Sequence, residues 1–197
     1  MIRAGALFVL LLATVVPAAA QGSVDERLSA ALASVTRGDF EQAEGLYRAL
    51  IIDQPGLAEA HAGLADALVG QSREDEAFAT LLVAGQRLVQ SGELGAGTEF
   101  LERAVSLKPD SAAGNAALGG ALLRANRHRE ARNRLEKAIG LGEREPIVRL
   151  FLGAAQWESG AYDEAERTYR EILSVAGPTA DAARFSGKRR RFRHKAW

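Results

Sequence analysis

The 197-residue chain contains no cysteine. That excludes disulfides, thiol catalysis, iron–sulfur clusters, thiolate zinc sites and a lipid-modified cysteine anchor. Aromatic residues make up only 6%, proline occurs five times and histidine three. Net charge is absent as well, with 25 Lys and Arg against 25 Asp and Glu. The balance hides an asymmetry: Lys188, Arg189, Arg190, Arg191, Arg193 and Lys195 crowd the end of the chain, leaving residues 4–187 with 18 basic against 25 acidic side chains. The body is acidic and the tail basic. With 47% hydrophobic residues the chain is too apolar to be wholly disordered, and its length suits one domain or a short repeat array.

Residues 1–20 read as a secretory signal peptide. Arg3 supplies the positive start, Ala6 to Val16 the apolar run, and Pro17-Ala18-Ala19-Ala20 the small-residue end for cleavage near Ala20/Gln21. The apolar stretch is at the lower limit for spanning a bilayer and contains a proline, which disfavours a retained anchor. The expected location is therefore outside the cytoplasm, in a periplasm-like compartment.

Self-similarity at 34 residues runs through the remainder. Leu118-Gly119, Ala131, Leu135 and Ala138 return as Leu152-Gly153, Ala165, Tyr169 and Ile172. Upstream, Gly38, Ala43, Tyr47, Leu50 and Pro55 form one copy and Leu64-Ala65, Ala77, Leu81 and Ala84 another, with a half-copy at Gly92, Gly97, Leu101, Ala104 and Pro109. In each copy a small residue separates two amphipathic helical runs, so each unit is a helical hairpin that needs its neighbours. The separators are Gly38, Ser72, Gly92, Asn126 and Gly160, with steps of 34, 20, 34 and 34. Twenty residues hold one helix only. The run from Glu74 to Gln90 is therefore expected to be the second helix of one unit and the first of the next. The pattern predicts nine helices, near 24–36, 39–52, 58–70, 74–90, 95–107, 111–125, 128–140, 146–158 and 162–175, with a short tenth near 178–185 capping the array.

These residues resemble the tetratricopeptide repeat (TPR) family. The resemblance rests on Leu118, Gly119, Ala131 and Leu135, on Leu152, Gly153, Ala165 and Tyr169, and on Ala43, Tyr47 and Pro55, and it covers about Val24 to Ala176. It implies an all-α solenoid of about 4.5 hairpins over 21–186, followed by a flexible basic tail at 187–197. The sequence departs from the family at the first-helix aromatic, where Arg27 and His61 stand, and at a later Tyr, replaced by Ser34, Leu68, Leu122 and Gln156.

Little in the sequence points to catalysis. His61, His128 and His194 are far apart and outside any metal-binding spacing. The glycines at 92–97 and 119–120 lack the Lys-Ser/Thr or the preceding strand of a phosphate loop. Carboxylates such as Asp39, Glu41 and Glu44, or Asp163, Glu164 and Glu166, lie at helix starts, where they complement the helix dipole. No enzyme, cofactor or metal is expected.

In the TPR family the first helices of successive units line a concave groove for a peptide or protein segment. Carried over by position, the resemblance implies a lining of Leu28, Leu32 and Val35, then Ala62, Asp66 and Val69. Leu82, Gln86 and Val89 follow, then Ala116, Gly120, Leu123 and Arg124, then Leu150, Ala154, Trp157 and Glu158. The Lys/Asn/Arg set for clamping a terminal carboxylate is missing. Trp157 is either an anchor for the partner or packed inside its own hairpin. The groove could take an amphipathic helix, the chain's own tail or a second copy. The tail reads as a solvated segment, an anionic-membrane contact with Phe192 and Trp197 at the interface, or a dock on the acidic body; export disfavours nucleic acid. The expected function is a non-catalytic protein-binding scaffold. The alternatives are a peripheral membrane adaptor held by the tail, or an accessory subunit of an envelope complex.

Overall fold

A computed structural model describes residues 22–176. The described residues form nine α-helices and no strand: α1 (Val24–Arg37), α2 (Phe40–Asp53), α3 (Ala58–Gly70), α4 (Glu74–Ser91), α5 (Leu94–Leu107), α6 (Ala112–Arg124), α7 (His128–Gly140), α8 (Pro146–Glu158) and α9 (Tyr162–Ala176). Each boundary falls within one residue of the sequence expectation. The export segment, the tenth helix near 178–185 and the basic tail lie outside the described residues.

The helix ends follow from the residues placed there. Ser23 caps α1, its hydroxyl accepting from the Glu26 amide at 3.2 Å while the Glu26 carboxylate accepts from the Ser23 amide at 2.8 Å. All five separators adopt the left-handed conformation, with φ of 82° at Gly38, 59° at Ser72, 96° at Gly92, 59° at Asn126 and 87° at Gly160. The residue after each donates its amide five residues back: Asp39 to Ser34, Arg73 to Leu68, Glu93 to Leu88 and Arg127 to Leu122 at 2.9 Å, and Ala161 to Gln156 at 2.8 Å. This bond satisfies a carbonyl that the ending helix leaves orphaned and turns the chain sharply enough for a hairpin.

Small residues set the hairpin spacing. Ala43, Ala77, Ala131 and Ala165 are fully buried. Gly85, Gly119 and Gly153, each 34 apart, face the paired helix so closely that a Cβ would lie 2.8 Å from Leu101 Cγ, 2.6 Å from Leu135 Cγ and 2.7 Å from Tyr169 Cζ. At the first crossing Gly85 meets Gly97, and the two backbones approach each other directly.

α4 performs both roles expected of it. Ala77 sits at the second-helix position toward α3, and Gly85 at the first-helix position toward α5. Neighbouring side chains on these two helices accordingly point into different cores: Leu88, Phe100 and Ala104 join the one containing Leu50, Leu68 and Leu81. Val89, Leu101 and Val105 join the one containing Leu118, Leu122 and Leu135. Each such buried Leu contributes about 1.5–3 kcal/mol, so both cores are substantial.

Helices two apart in sequence lie side by side in one layer. α1 touches α3, α4 touches α6, and α6 touches α8. Ion pairs extend the rows: Arg48 of α2 reaches Glu76 of α4 at 3.9 Å, Arg103 of α5 pairs with Asp66 of α3, and Arg127 at the start of α7 reaches Glu102 of α5 at 3.0 Å. Odd-numbered helices thus form one layer and even-numbered helices the other. Because α4 closes one hairpin and opens the next, the first-helix role passes at α4 from the odd layer to the even layer.

Candidate functional site

The passage between layers decides where a groove can lie. The lining set implied by resemblance divides into two groups on opposite layers. Leu28, Leu32, Val35, Ala62, Asp66 and Val69 belong to α1 and α3 in the odd layer; the remainder belong to α4, α6 and α8 in the even layer. No single channel runs through both.

On the odd layer Leu32 is 61% and Val69 40% exposed, so apolar surface is available there. It is interrupted by Asp66, which the Arg103 guanidinium of α5 holds in an ion pair. Sequence reasoning missed this partner because it took α4, not α5, as the next lining helix.

The even layer presents a different surface. α6 reads Ala-Ala-Gly-Asn-Ala-Ala-Leu-Gly-Gly-Ala-Leu-Leu-Arg, with Asn115 and Arg124 its only polar side chains. Asn115 points inward, fully buried, and donates to the carbonyls of Pro109 and Ser111 at 2.9 Å. The outward side is left to Ala113, Ala116, Ala117, Gly120 and Leu123, with Arg124 exposed at the end. Glycine lets the neighbouring helices close in: a Cβ at Gly114 would lie 3.2 Å from Phe78 of α4, and one at Gly120 3.3 Å from Phe151 of α8. Gln86 is exposed, and Leu150 is half-buried against the α9 core residues Ala165, Tyr169 and Ile172. Val83 and Ile147, exposed at 49% and 48%, border this face.

Two residues of the implied set contribute otherwise than a lining would. Val89 is only 8% exposed and packs in the core with Leu101, Leu118 and Leu122, because the shortened step turns its side of α4 toward α6. Trp157 meets Tyr162 edge-on, with ring centroids 4.9 Å apart, and packs against Ala165, Tyr169 and Ile172.

The position that holds the family's aromatic is used for turn fastening. His61 Nε2 donates to the Pro55 carbonyl at 2.9 Å, Asn115 to the Pro109 carbonyl at 2.9 Å, and Arg149 to the Arg144 carbonyl at 3.2 Å. Arg27 ties α1 to the end of α2 through Asp53 at 2.6 Å. Four unlike side chains thus anchor the segment preceding, or the hairpin containing, their own helix.

Glu44 corrects the dipole reading of the helix-start carboxylates. It is 7% exposed, and its carboxylate accepts from Gln71 at 2.7 Å and pairs with Arg73 at 2.6 Å and Arg48 at 2.5 Å. The Gln71 amide and the two guanidinium groups hold its pKa below the ordinary carboxylate value, against the opposing effect of burial. Arg73 also grips Glu76 with two bonds of 2.6 Å, an arrangement repeated between Arg127 and Glu130 at 2.8 and 2.6 Å. Burial raises the pKa of both Tyr47 and Tyr169.

Among the described residues no cluster of three or more His, Asp or Glu is placed to hold a metal ion, and no helix is long and apolar enough to cross a membrane. The candidate tail residues Lys188, Arg189, Arg190, Arg191, Arg193 and Lys195 lie outside the described residues.

The tetratricopeptide repeat family matches residues 28–87 and 116–181. The gap between the matches contains α5, where the 34-residue rhythm breaks. Among solved structures, the chain is similar to the TPR domain of Arabidopsis OM64, with 20% identity and a TM-score of 0.53 over 56% of this chain and 91% of that one. It is also similar to YrrB, a TPR protein with an unusual peptide-binding site, with 14% identity and a TM-score of 0.51 over 82% of this chain and 90% of that one. No curated protein matches the chain. Two family matches in register with these hairpins span well over half its length: the chain belongs to the tetratricopeptide repeat family.

Proposed function

We propose that this chain is a protein–protein interaction scaffold, without catalysis of its own, that holds an apolar helix or extended segment of another protein on the even-layer face of α4, α6 and α8. The observation that carries the reading is the outward side of α6, where Ala113, Ala116, Ala117, Gly120 and Leu123 form a shallow apolar strip flanked by Val83 and Ile147. Small side chains admit a partner backbone closely, and burying an apolar strip of about 400 Å² would contribute about 10 kcal/mol before the cost of association. Membership of the family and the peptide-binding site of YrrB, a protein of the same fold, support it.

Export belongs to the same proposal: the first twenty residues direct the chain out of the cytoplasm and are removed near Ala20/Gln21. N-terminal sequencing of the protein recovered from its native cell checks that part, and a retained Met1 would refute it. For the groove, Ala113→Glu with Ile147→Glu abolishes capture of the native partner while the helical circular dichroism stays unchanged. Leu32→Glu, on the odd layer, leaves capture intact; the opposite pattern would move the site to α1 and α3.

A further inference from the structure

The 34-residue rhythm does not stop at α9. Counting on from α8, Phe151 falls on Phe185 and Gly153 on Gly187, and Pro178-Thr179 precede the stretch as a turn and a helix N-cap. The second family match runs to residue 181, past the end of α9. Asp181 stands in the first turn and a run of Arg and Lys in the last, the polarity a helix favours.

We infer that residues 180–192 form one more first helix, beside α8 in the even layer, whose Arg184, Lys188 and Arg191 make the end of the groove cationic, so that the partner is an apolar segment bearing an acidic end. This rests on the even-layer groove proposed above. Phe185 packs on Ala154 as Phe151 packs on Gly120, covering the open side of the last hairpin, which a solenoid must hide. Groove positions 150, 154 and 157 of α8 become 184, 188 and 191 in register. The start of α7 lies beside the end of α8, since Arg127, His128 and Arg129 share a cleft with Glu158 and Ser159. The same relation one unit later sets the basic end of the new helix beside Asp163 and Glu164, whose charge offsets repulsion among its arginines. An apolar strip with a cationic end is complementary to an acidic-ended amphipathic helix, which electrostatics would also orient.

The test uses the mature chain, 21–197. Hydrogen exchange detects protected amides at 180–190, and Ala154→Cys with Phe185→Cys oxidises to an intramolecular disulfide, with no native cysteine to interfere. Two synthetic Leu/Ala amphipathic helices, one ending in Glu-Glu-Asp and one in Lys-Lys-Arg, serve as probes. At low salt the acidic helix binds at least tenfold more tightly, and Lys188→Glu with Arg191→Glu reverses the preference. Unprotected amides at 180–190, or equal binding of the two helices, overturns the inference. Equal binding that Ala113→Glu with Ile147→Glu still weakens would leave the groove standing; no binding of either helix would remove both.

Discussion

The face built by α1, α3 and α5 and the face built by α4, α6 and α8 derive from equivalent positions of one repeat, yet they are fastened differently. In the first, long-range charge does the fastening: Arg27 to Asp53, Glu44 to Arg73, and Asp66 to Arg103 each join residues more than twenty apart. In the second, glycine contacts do it, with Gly114 against Phe78 and Gly120 against Phe151. Side-chain bridges crossing a surface occupy it, whereas backbone approach leaves it free. The same fold therefore yields one face that is closed by its own ion pair and one that is open.

The two faces join at the α4–α5 crossing, and the largest expected effect lies there. A Cβ on Gly97 would stand 2.8 Å from the Val89 amide nitrogen and 2.9 Å from the Gly85 carbonyl oxygen, backbone atoms that cannot rotate away. Gly to Ala in a helix ordinarily stabilises by about 1 kcal/mol. Here Gly97→Ala destabilises by about 2–3 kcal/mol through overpacking, read as a lower urea midpoint. Gly45→Ala in α2, with nothing within 4 Å, stabilises instead. Equal effects at the two glycines would show that the crossing is not tight.

Val89 and Val83 sharpen the comparison on one helix. Val89→Ala removes buried methyl groups and costs about 2 kcal/mol, while Val83→Ala, at a site 49% exposed, changes the thermal midpoint little. If Val89→Ala left stability unchanged but weakened partner capture, Val89 would belong to the groove after all.

These residues also show how far a single sequence could be read. Separators and turn prolines depend on backbone conformation that one residue type dictates, so helix boundaries were legible, including the shortened step. The consequence of that step was not. A 20-residue interval reveals that one helix serves two hairpins, but only counting layers in space shows that the first-helix face changes side. Val89, Asp66 and Glu44 were misplaced for one reason: each is decided by a neighbour 12 to 40 residues away, namely Leu101, Arg103 and Arg73, and the repeat pattern carries no record of such pairings. Gly85 would have been found by stepping 34 residues back from Gly119.

Glu44 tests the charge-fastened half. Glu44→Gln keeps the volume but removes the charge that Arg73 and Arg48 face, and it costs about 1–2 kcal/mol at neutral pH. The folded-state pKa is lowered, so the contribution is fully present above the unfolded-state carboxylate value and disappears as pH falls through the folded-state value. Urea midpoints of parent and variant therefore converge in acid. A gap that stayed constant from pH 7 to pH 3 would assign the effect to packing.

The smallest effect is expected at Asp66→Asn. With its side chain 54% exposed and that of Arg103 36%, the pair contributes at most about 1 kcal/mol, and high salt screens most of that. Removing it nevertheless opens the odd-layer face between Leu32 and Val69, which lie on either side of it on α1 and α3. Asp66→Asn consequently leaves the thermal midpoint nearly unchanged while raising binding of a hydrophobic dye, and Val83→Asp on the even layer lowers that binding. A dye signal indifferent to Asp66 would mean that shape, and not the ion pair, closes the first face.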